Sequence, residues 1–174
     1  SCLFVSFGTG LTSCNEQDYK LFDSSRTGIY FTEDSVVYSF GVTKLEVTSH
    51  EMELPVKIMG APVKEERSFK VEVVTDKTTA KAGEHYIMPT ELIIKADSVN
   101  GVLPVTVLRE DLGSDTYWQV AFRLVSTDDF EPENEILTVA IASFNNIVKP
   151  PQWKDWQGNL TWPNYKLGVW DPVK

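Results

Sequence analysis

Hydrophobic and polar residues alternate along much of the chain, and this pattern predicts its secondary structure. The alternation is clear in five segments: 53–59, 67–75, 102–108, 117–125 and 136–142. Successive side chains of a strand point to opposite faces, so this pattern is typical of half-buried strands in antiparallel sheets. Shorter apolar runs predict further strands at 28–32, 36–40, 44–48 and 91–95.

The spacing of the breaks between these segments predicts the fold class. Glycine, proline and asparagine separate the segments, as turns require, and no long stretch has the 3.6-residue period of a helix. In the last strand, we expect Leu137, Val139 and Ile141 to form the apolar face. Seven or more short strands predict an all-β fold, an antiparallel β-sandwich of the immunoglobulin-like type over residues 27–146.

The C-terminal part of the chain differs from the rest. Lys149-Pro150-Pro151 favours an extended segment, and four of the five tryptophans follow between 153 and 170. We expect residues 147–174 to form an irregular, Trp-rich segment packed on the sandwich. The segment is either a lid across the sandwich or an exposed aromatic surface. An exposed surface could stack against sugar rings or form a protein interface. The candidate ligand-binding residues there are Trp153, Trp156, Trp162, Tyr165 and Trp170.

Composition narrows the class of protein. The 174 residues suffice for one domain with a core, and the hydrophobic and charged fractions of 42% and 24% are those of a globular protein. The formal net charge of -9 argues against a nucleic-acid partner, which requires clustered Lys and Arg. The only cysteines are Cys2 and Cys14, so the predicted sandwich contains neither a disulfide nor a thiolate metal site.

The N-terminal residues resemble an export signal. Residues 1–13 are uncharged and largely apolar, and they are too few to span a bilayer, which takes about 20 apolar residues. Leu11-Thr12-Ser13-Cys14 is similar to a bacterial lipobox, in which the cysteine thiol takes a lipid and becomes the first residue after cleavage. The alternative is a chance cysteine at the end of a buried strand.

From the lipobox we expect a lipoprotein precursor anchored to a membrane through Cys14. Residues 1–13 are then the remnant of a signal peptide, and residues 14–26 are a polar, lipidated tether. Because Ser1 is not methionine and no basic stretch precedes it, we expect the natural chain to begin upstream.

A family resemblance rests on several separate motifs. Residues 78–86, TTAKAGEHY, resemble the T-A-x-x-G-x-D-Y core of Calx-beta-like domains, where Gly83 would make a tight turn and Tyr86 would plug the sandwich edge. Over nearly the whole mature chain the sequence is similar to the DUF4843 family of Bacteroidota lipoproteins. The segments that carry this similarity are 30–41, 54–60, 103–105, 108–109, 149–153 and 167–174.

The DUF4843 resemblance implies a location and partners. It implies a lipoprotein of the bacterial outer membrane that faces the cell exterior. Genes of this kind often lie beside a TonB-dependent transporter and its SusD-like lipoprotein, the SusC/SusD-type pair. The resemblance therefore implies an accessory role in the uptake of a glycan or a peptide. This inference rests on the association of neighbouring genes and not on a recognised site.

The Calx-beta resemblance implies a calcium candidate. Calcium requires six to eight oxygen ligands from converging loops, and the loop carboxylates of Glu110, Asp111 and Asp115 are the candidate ligands. Arg109 stands beside these acids, and His85 occupies the position of the usual Asp. Both features favour solvated surface loops instead.

Two shorter motifs point to a modification. Asp34-Ser35-Val36 and Asp97-Ser98-Val99 are similar to the O-glycosylation pattern of Bacteroidota, which makes Ser35 and Ser98 candidate sites. Because such triplets arise easily by chance, unmodified surface serines are the alternative.

Catalysis has no support in the sequence. His50 and His85 are the only histidines, and neither lies near a nucleophile motif. We therefore expect no enzyme activity and no cofactor beyond the lipid. The functional hypotheses are an accessory subunit of an uptake system, a surface module that binds glycan or peptide, and a calcium-stabilised adhesin-like domain.

Overall fold

The computed structural model describes residues 26–132 and 137–148, together with the backbone of 153–154 and 160–161. The described strands are β1 (Thr27–Phe31), β2 (Ser35–Ser39), β3 (Ser49–Met59), β4 (Arg67–Val73), β5 (Tyr86–Ile87), β6 (Leu92–Ile94), β7 (Asn100–Leu108), β8 (Tyr117–Val125), β9 (Phe130–Pro132), β10 (Val139–Asn145), β11 (Trp153–Lys154) and β12 (Leu160–Thr161). Two single-turn 3-10 helices lie at Phe40–Val42 and Thr75–Lys77. None of the described helices is long and apolar enough to cross a membrane.

The strands form a sandwich, as the alternation predicts. One five-stranded sheet has the order β5-β7-β3-β1-β9 and the other has the order β2-β10-β8-β4-β6, while β11 pairs separately with β12. The pairs are antiparallel except for β1 with β9 and β10 with β2, which are parallel. The all-β sandwich is confirmed, and its antiparallel character holds for every described pair except these two at the sheet edges.

Side chains from the inner faces of both sheets fill one hydrophobic core. The central strands β3 and β7 bury alternate residues as expected, including Leu54 and Val56 from β3 and Leu103 and Val105 from β7. The largest aromatic side chains of the core are fully buried: Phe31, Phe40, Phe122, Phe130 and Phe144. Burying each of these rings contributes about 1.5–3 kcal/mol to folding.

Two details of the predicted strands are wrong. Residues 44–48 form a turn, in which the Val47 amide donates to the Lys44 carbonyl (3.1 Å), and Leu45 is 74% exposed. In β10 the buried residues are Ala140, Ala142 and Phe144, whereas Leu137 is 40% exposed. Ala140 lies opposite the fully buried Phe122 in the sheet register, so a small inward side chain leaves room for that ring.

The segment that resembles Calx-beta domains has the expected geometry. Gly83 has φ of +80°, which glycine adopts without a steric penalty. Tyr86 is 3% exposed and packs edge-on against Phe122, with 6.1 Å between the ring centroids. The tight turn at Gly83 and the plugging role of Tyr86 are therefore both confirmed.

Candidate functional site

An open depression lies at the end of the first sheet, where β3 begins and β7 ends. Its volume is about 750 Å³, within the usual range of ligand sites. Thr48 and Ser49 line it from the start of β3, residues 108–111 from the end of β7 and the turn after it, and Gly83 and Glu84 from the turn before β5. We call this end of the sandwich the Arg109 end.

Arg109 holds the backbone beside the depression together. Its Nη1 donates to the Lys44 carbonyl (2.7 Å) and the Val47 carbonyl (3.2 Å), and its Nε donates to Oδ1 of Asn146 (3.1 Å). The guanidinium lies 5.7 Å from the ring centroid of Phe40, and the residue is 9% exposed. The side chain therefore joins the 44–47 turn to the residue that follows β10.

A polar cluster supports the opposite wall of the depression. Nδ1 of the buried His85 accepts a hydrogen bond from the Lys81 amide (3.1 Å), so the ring proton belongs on Nε2. Nε2 lies 3.4 Å from Oε1 of Glu84, and Lys81 Nζ lies 3.2 Å from both carboxylate oxygens of Glu84. The imidazole also packs on Trp118, with 3.8 Å between the ring centroids. These contacts restrict the Glu84 carboxylate at the edge of the depression.

The turn that carries the other two carboxylates is also fixed by hydrogen bonds. The Leu112 amide donates to the Arg109 carbonyl (3.3 Å), and Trp118 Nε1 donates to the Leu112 carbonyl (2.8 Å). Glu110 and Asp111 occupy the exposed positions of this turn. They therefore stand on rigid backbone and face the solvent.

The three calcium candidates are only partly brought together. Glu110 and Asp111 line the depression, whereas Asp115 lies beyond it and accepts a hydrogen bond from Thr116 Oγ1 (3.0 Å). Within residues 26–132 and 137–148, no group of three or more His, Cys, Asp or Glu side chains is arranged to hold a metal ion. No observation on the described residues therefore supports the calcium hypothesis.

Several predicted site residues lie outside the described residues. These are the lipidation site Cys14 and the aromatic residues Trp156, Trp162, Tyr165 and Trp170. For Trp153 only the backbone is described, and it pairs with Thr161. The lipid anchor and the aromatic binding surface therefore stay predictions.

The two candidate glycosylation serines lie near the surface. Ser35 begins β2, and its hydroxyl donates to Oδ1 of Asp34 (2.9 Å). Ser98 lies in the turn before β7, and its hydroxyl donates to the Asn100 carbonyl (2.9 Å). Both side chains are near solvent, as modification would require, and their modification stays a prediction.

Sequence reasoning missed most residues of the depression. Thr48 and Ser49 belong to no motif, and Glu84 and Arg109 lie in segments that carry a family resemblance but were not considered as binding residues. One signal was present, because His85 replaces an Asp in the segment that resembles Calx-beta domains. That exchange marks the turn that also carries Glu84, a residue that lines the depression.

The comparison with protein families gives one match. The family described as Domain of unknown function (DUF4843) matches residues 14–167 of this chain. A search of the curated proteins gives no match.

Two solved structures from Bacteroides share the fold. A candidate carbohydrate binding protein from Bacteroides ovatus is 14% identical, with a TM-score of 0.52 over 70% of this chain and 38% of that chain. EndoBT-3987 from Bacteroides thetaiotamicron, solved with a Man5GlcNAc product, is 12% identical, with a TM-score of 0.51 over 68% of this chain and 30% of that chain. The matched region therefore spans less than two fifths of either protein.

Proposed function

This chain belongs to the DUF4843 family, and we propose that it is a non-catalytic, carbohydrate-binding module of a lipid-anchored surface protein. In this proposal the module is an accessory subunit of a SusC/SusD-type, TonB-dependent nutrient-uptake system. The observation that carries the proposal is the open depression at the Arg109 end, which is lined mostly by polar residues and built from loops on a rigid sandwich. Loops positioned by a rigid scaffold are the usual place for binding residues.

The chemistry of the depression supports a ligand rich in hydroxyl groups. Carboxylates accept hydrogen bonds from hydroxyls, while the hydroxyls of Thr48 and Ser49 both donate and accept them. The fold shared with the candidate carbohydrate binding protein from Bacteroides ovatus agrees with this use of the scaffold. Because that likeness concerns the fold alone, the lining residues carry the argument for a saccharide.

The placement of the two histidines supports binding without catalysis. His85 is 1% exposed, and its Nδ1 is occupied by the Lys81 amide. His50 stacks on Tyr38, with 3.6 Å between the ring centroids and 4° between the planes. Neither ring is therefore presented to the depression as a general base.

Binding can be tested directly by affinity electrophoresis. The purified chain would be run in native gels that contain yeast mannan, starch, xyloglucan or polygalacturonate, with serum albumin as the non-binding reference. We expect at least one polysaccharide to retard the chain relative to the reference. Migration equal to the reference in all gels, together with an empty glycan array, contradicts carbohydrate binding.

The anchor and the location require their own experiment. Cells that express the wild-type chain or the Cys14→Ala variant would be labelled with a palmitate analogue and then treated with protease before lysis. We expect label only on the wild type, and loss of the wild-type protein on protease treatment of intact cells. Label on the variant contradicts the anchor at Cys14, and protection from protease contradicts exposure at the cell exterior.

The accessory role makes a separate prediction about partners. Affinity purification of the tagged, wild-type lipoprotein from native outer membranes should recover a TonB-dependent transporter and a SusD-like lipoprotein. The Cys14→Ala variant serves as the control, because it lacks the anchor that places it beside them. Recovery of neither protein, from a preparation in which the lipoprotein itself is intact, contradicts the accessory role and leaves saccharide binding standing.

A further inference from the structure

We infer that the depression at the Arg109 end binds neutral saccharides and rejects acidic ones, with Glu110 and Asp111 as the residues that make this selection. The inference rests on the proposed carbohydrate-binding function and adds the ligand class and the residues that select it. It follows from the charge around the depression and from the rigidity of its walls.

The positive charges next to the depression are already engaged in contacts with the protein. Arg109 directs Nε and Nη1 to Asn146 Oδ1 and to the carbonyls of Lys44 and Val47. Lys81 pairs with both oxygens of Glu84 (3.2 Å). A carboxylate or sulfate on a ligand would therefore compete with existing contacts for Lys81 and for Nε and Nη1 of Arg109.

The remaining charges at the depression are negative. Within the described part of the chain, Glu110 and Asp111 form no ion pair and accept no side-chain hydrogen bond, and both are exposed. The whole chain carries a formal net charge of -9, which adds to the repulsion of an anion. A neutral hydroxyl can instead donate a charge-assisted hydrogen bond to either carboxylate.

The walls of the depression are rigid enough to discriminate between ligands. Trp118 Nε1 fixes the Leu112 carbonyl (2.8 Å), which holds the 109–112 turn in place, and His85 with Lys81 restricts Glu84. The volume of about 750 Å³ accommodates one or two sugar rings. No aromatic side chain is among the described lining residues, so hydrogen bonds supply the recognition.

A matched pair of charge-reversal variants tests the inference. E110K/D111K reverses the two carboxylates at the depression. E65K/E66K reverses two adjacent, exposed carboxylates in the loop after β3. Strand β3 begins at the depression and ends at the far end of the sandwich, so this loop lies away from the depression. The two variants have the same net charge, so a difference between them reports position alone.

Affinity electrophoresis would compare both variants with the wild type on neutral gels (yeast mannan, starch, xyloglucan) and acidic gels (polygalacturonate, alginate). We expect the wild type to bind a neutral polysaccharide and no acidic one. E110K/D111K should bind that polysaccharide about tenfold more weakly, the effect of losing one charge-assisted hydrogen bond, and E65K/E66K should change less than about twofold. The isosteric variant E110Q/D111N, which cannot fail through repacking, should lose affinity several-fold.

Each failure has its own meaning. If the wild type binds acidic polysaccharides as well as neutral ones, the ligand class is overturned. If E110K/D111K and E110Q/D111N, with melting temperatures equal to the wild type, keep full affinity, the selective role of Glu110 and Asp111 is overturned and the proposed carbohydrate binding stands. If the wild type binds no polysaccharide at all, the proposed function fails, and this inference fails with it.

Discussion

The two ends of the sandwich are each closed by an arginine that lies over a buried phenylalanine, yet the two arginines differ in their hydrogen bonds. Arg109 lies over Phe40 and donates three hydrogen bonds to oxygen atoms of the 44–47 turn and Asn146. At the opposite end, Arg67 lies 4.7 Å from the ring centroid of Phe130 and donates one, from Nη1 to Thr27 Oγ1 (2.9 Å). Its Nε and Nη2 are buried without a partner among the described residues.

From this difference we expect a cation against an aromatic ring to stabilise the fold mainly when its donors are satisfied. An unpaired buried donor costs about 1–3 kcal/mol, which is comparable to what a desolvated cation–π contact contributes. Arg109 therefore holds irregular backbone in a defined shape next to the depression. Arg67 fills space beside Phe130 at an electrostatic cost.

The largest expected effect comes from replacing each arginine by methionine, which keeps much of the length and removes the charge. Arg109→Met leaves the oxygens of Lys44, Val47 and Asn146 without their donor. We expect it to lower the free energy of unfolding by about 2–4 kcal/mol. Arg67→Met loses one hydrogen bond and the cation–π contact but relieves two unpaired donors, so we expect it to cost less than about 1 kcal/mol or to stabilise the fold.

Urea denaturation of both variants measures this contrast. A linear extrapolation with unchanged slope shows that the variants differ in stability and not in the compactness of the unfolded state. Equal losses for the two arginines would break the comparison, because the number of satisfied donors would then not decide the contribution of either side chain.

A second, smaller effect comes from one glycine at each end. A Cβ on Gly41 would collide with the backbone carbonyl of Ile147, where the chain leaves β10 and passes the first 3-10 helix. A Cβ on Gly101 would meet the Cδ1 methyl of Ile94, the far end of a side chain that can rotate. We expect Gly41→Ala to cost about 1–3 kcal/mol and Gly101→Ala less than about 1 kcal/mol.

Thermal melts followed by circular dichroism provide the measurement for this pair. A stable Gly41→Ala variant would show that the 40–48 loop adjusts easily, and the Arg109 end would then be less rigid than its hydrogen bonds indicate. A large loss of stability in Gly101→Ala would show that the Ile94 side chain cannot rotate away, and the end of the sandwich that carries Arg67 would then be more rigid than we expect.

The regular strands were predictable because a single physical rule produces them. In β3 and β7, inward apolar residues alternate with less buried ones, so burial follows directly from the period of two. The rule failed in β10, where the inward side chains are the small Ala140 and Ala142, and hydrophobicity alone marked the wrong face. The 44–48 run failed because Arg109, which is distant in sequence, binds two of its carbonyls.

The candidate site was less predictable than the fold because it is assembled from three separate segments. Thr48, Glu84 and Asp111 become neighbours only through the pairing of β3, β7 and β5. Short polar stretches between strands carry no periodic signal, so turn chemistry places them on the surface and says nothing about which of them meet. The Gly83 turn and the plugging Tyr86 were identified in advance through a family resemblance, and Glu110 and Asp111 were identified only as calcium candidates.

A third prediction asks whether the buried polar contact of His85 supports the Arg109 end. His85→Leu keeps a similar volume against Trp118 but leaves the Lys81 amide without its acceptor. We expect a loss of about 1–2 kcal/mol. His85→Asn offers an acceptor oxygen in nearly the same place, as an Asp would at this position of the resembled segment, and should lose less. If the leucine variant is as stable as the asparagine variant, the hydrogen bond to Nδ1 contributes nothing, and packing on Trp118 alone stabilises this wall.

The smallest effect, at neutral pH, is expected for Tyr86→Phe. Burial raises the pKa of the Tyr86 phenol above its ordinary value of 10.0. The folded state therefore keeps the phenolic proton at pH values where the unfolded chain has already released it. Since the unfolded state then binds fewer protons than the folded state, the contribution of Tyr86 to stability is complete below pH 10 and falls as the pH rises through the folded pKa.

Tyr86→Phe removes this dependence, so its stability relative to the wild type should increase between pH 10 and the alkaline limit of folding. Urea denaturation of both proteins at pH 7 and at a series of pH values above 10 measures the difference, with the pH 7 pair as the internal reference for lost packing. A constant difference across the series would mean that the phenol ionises equally in both states, and the edge of the sandwich at Tyr86 would then be open to solvent at the Arg109 end.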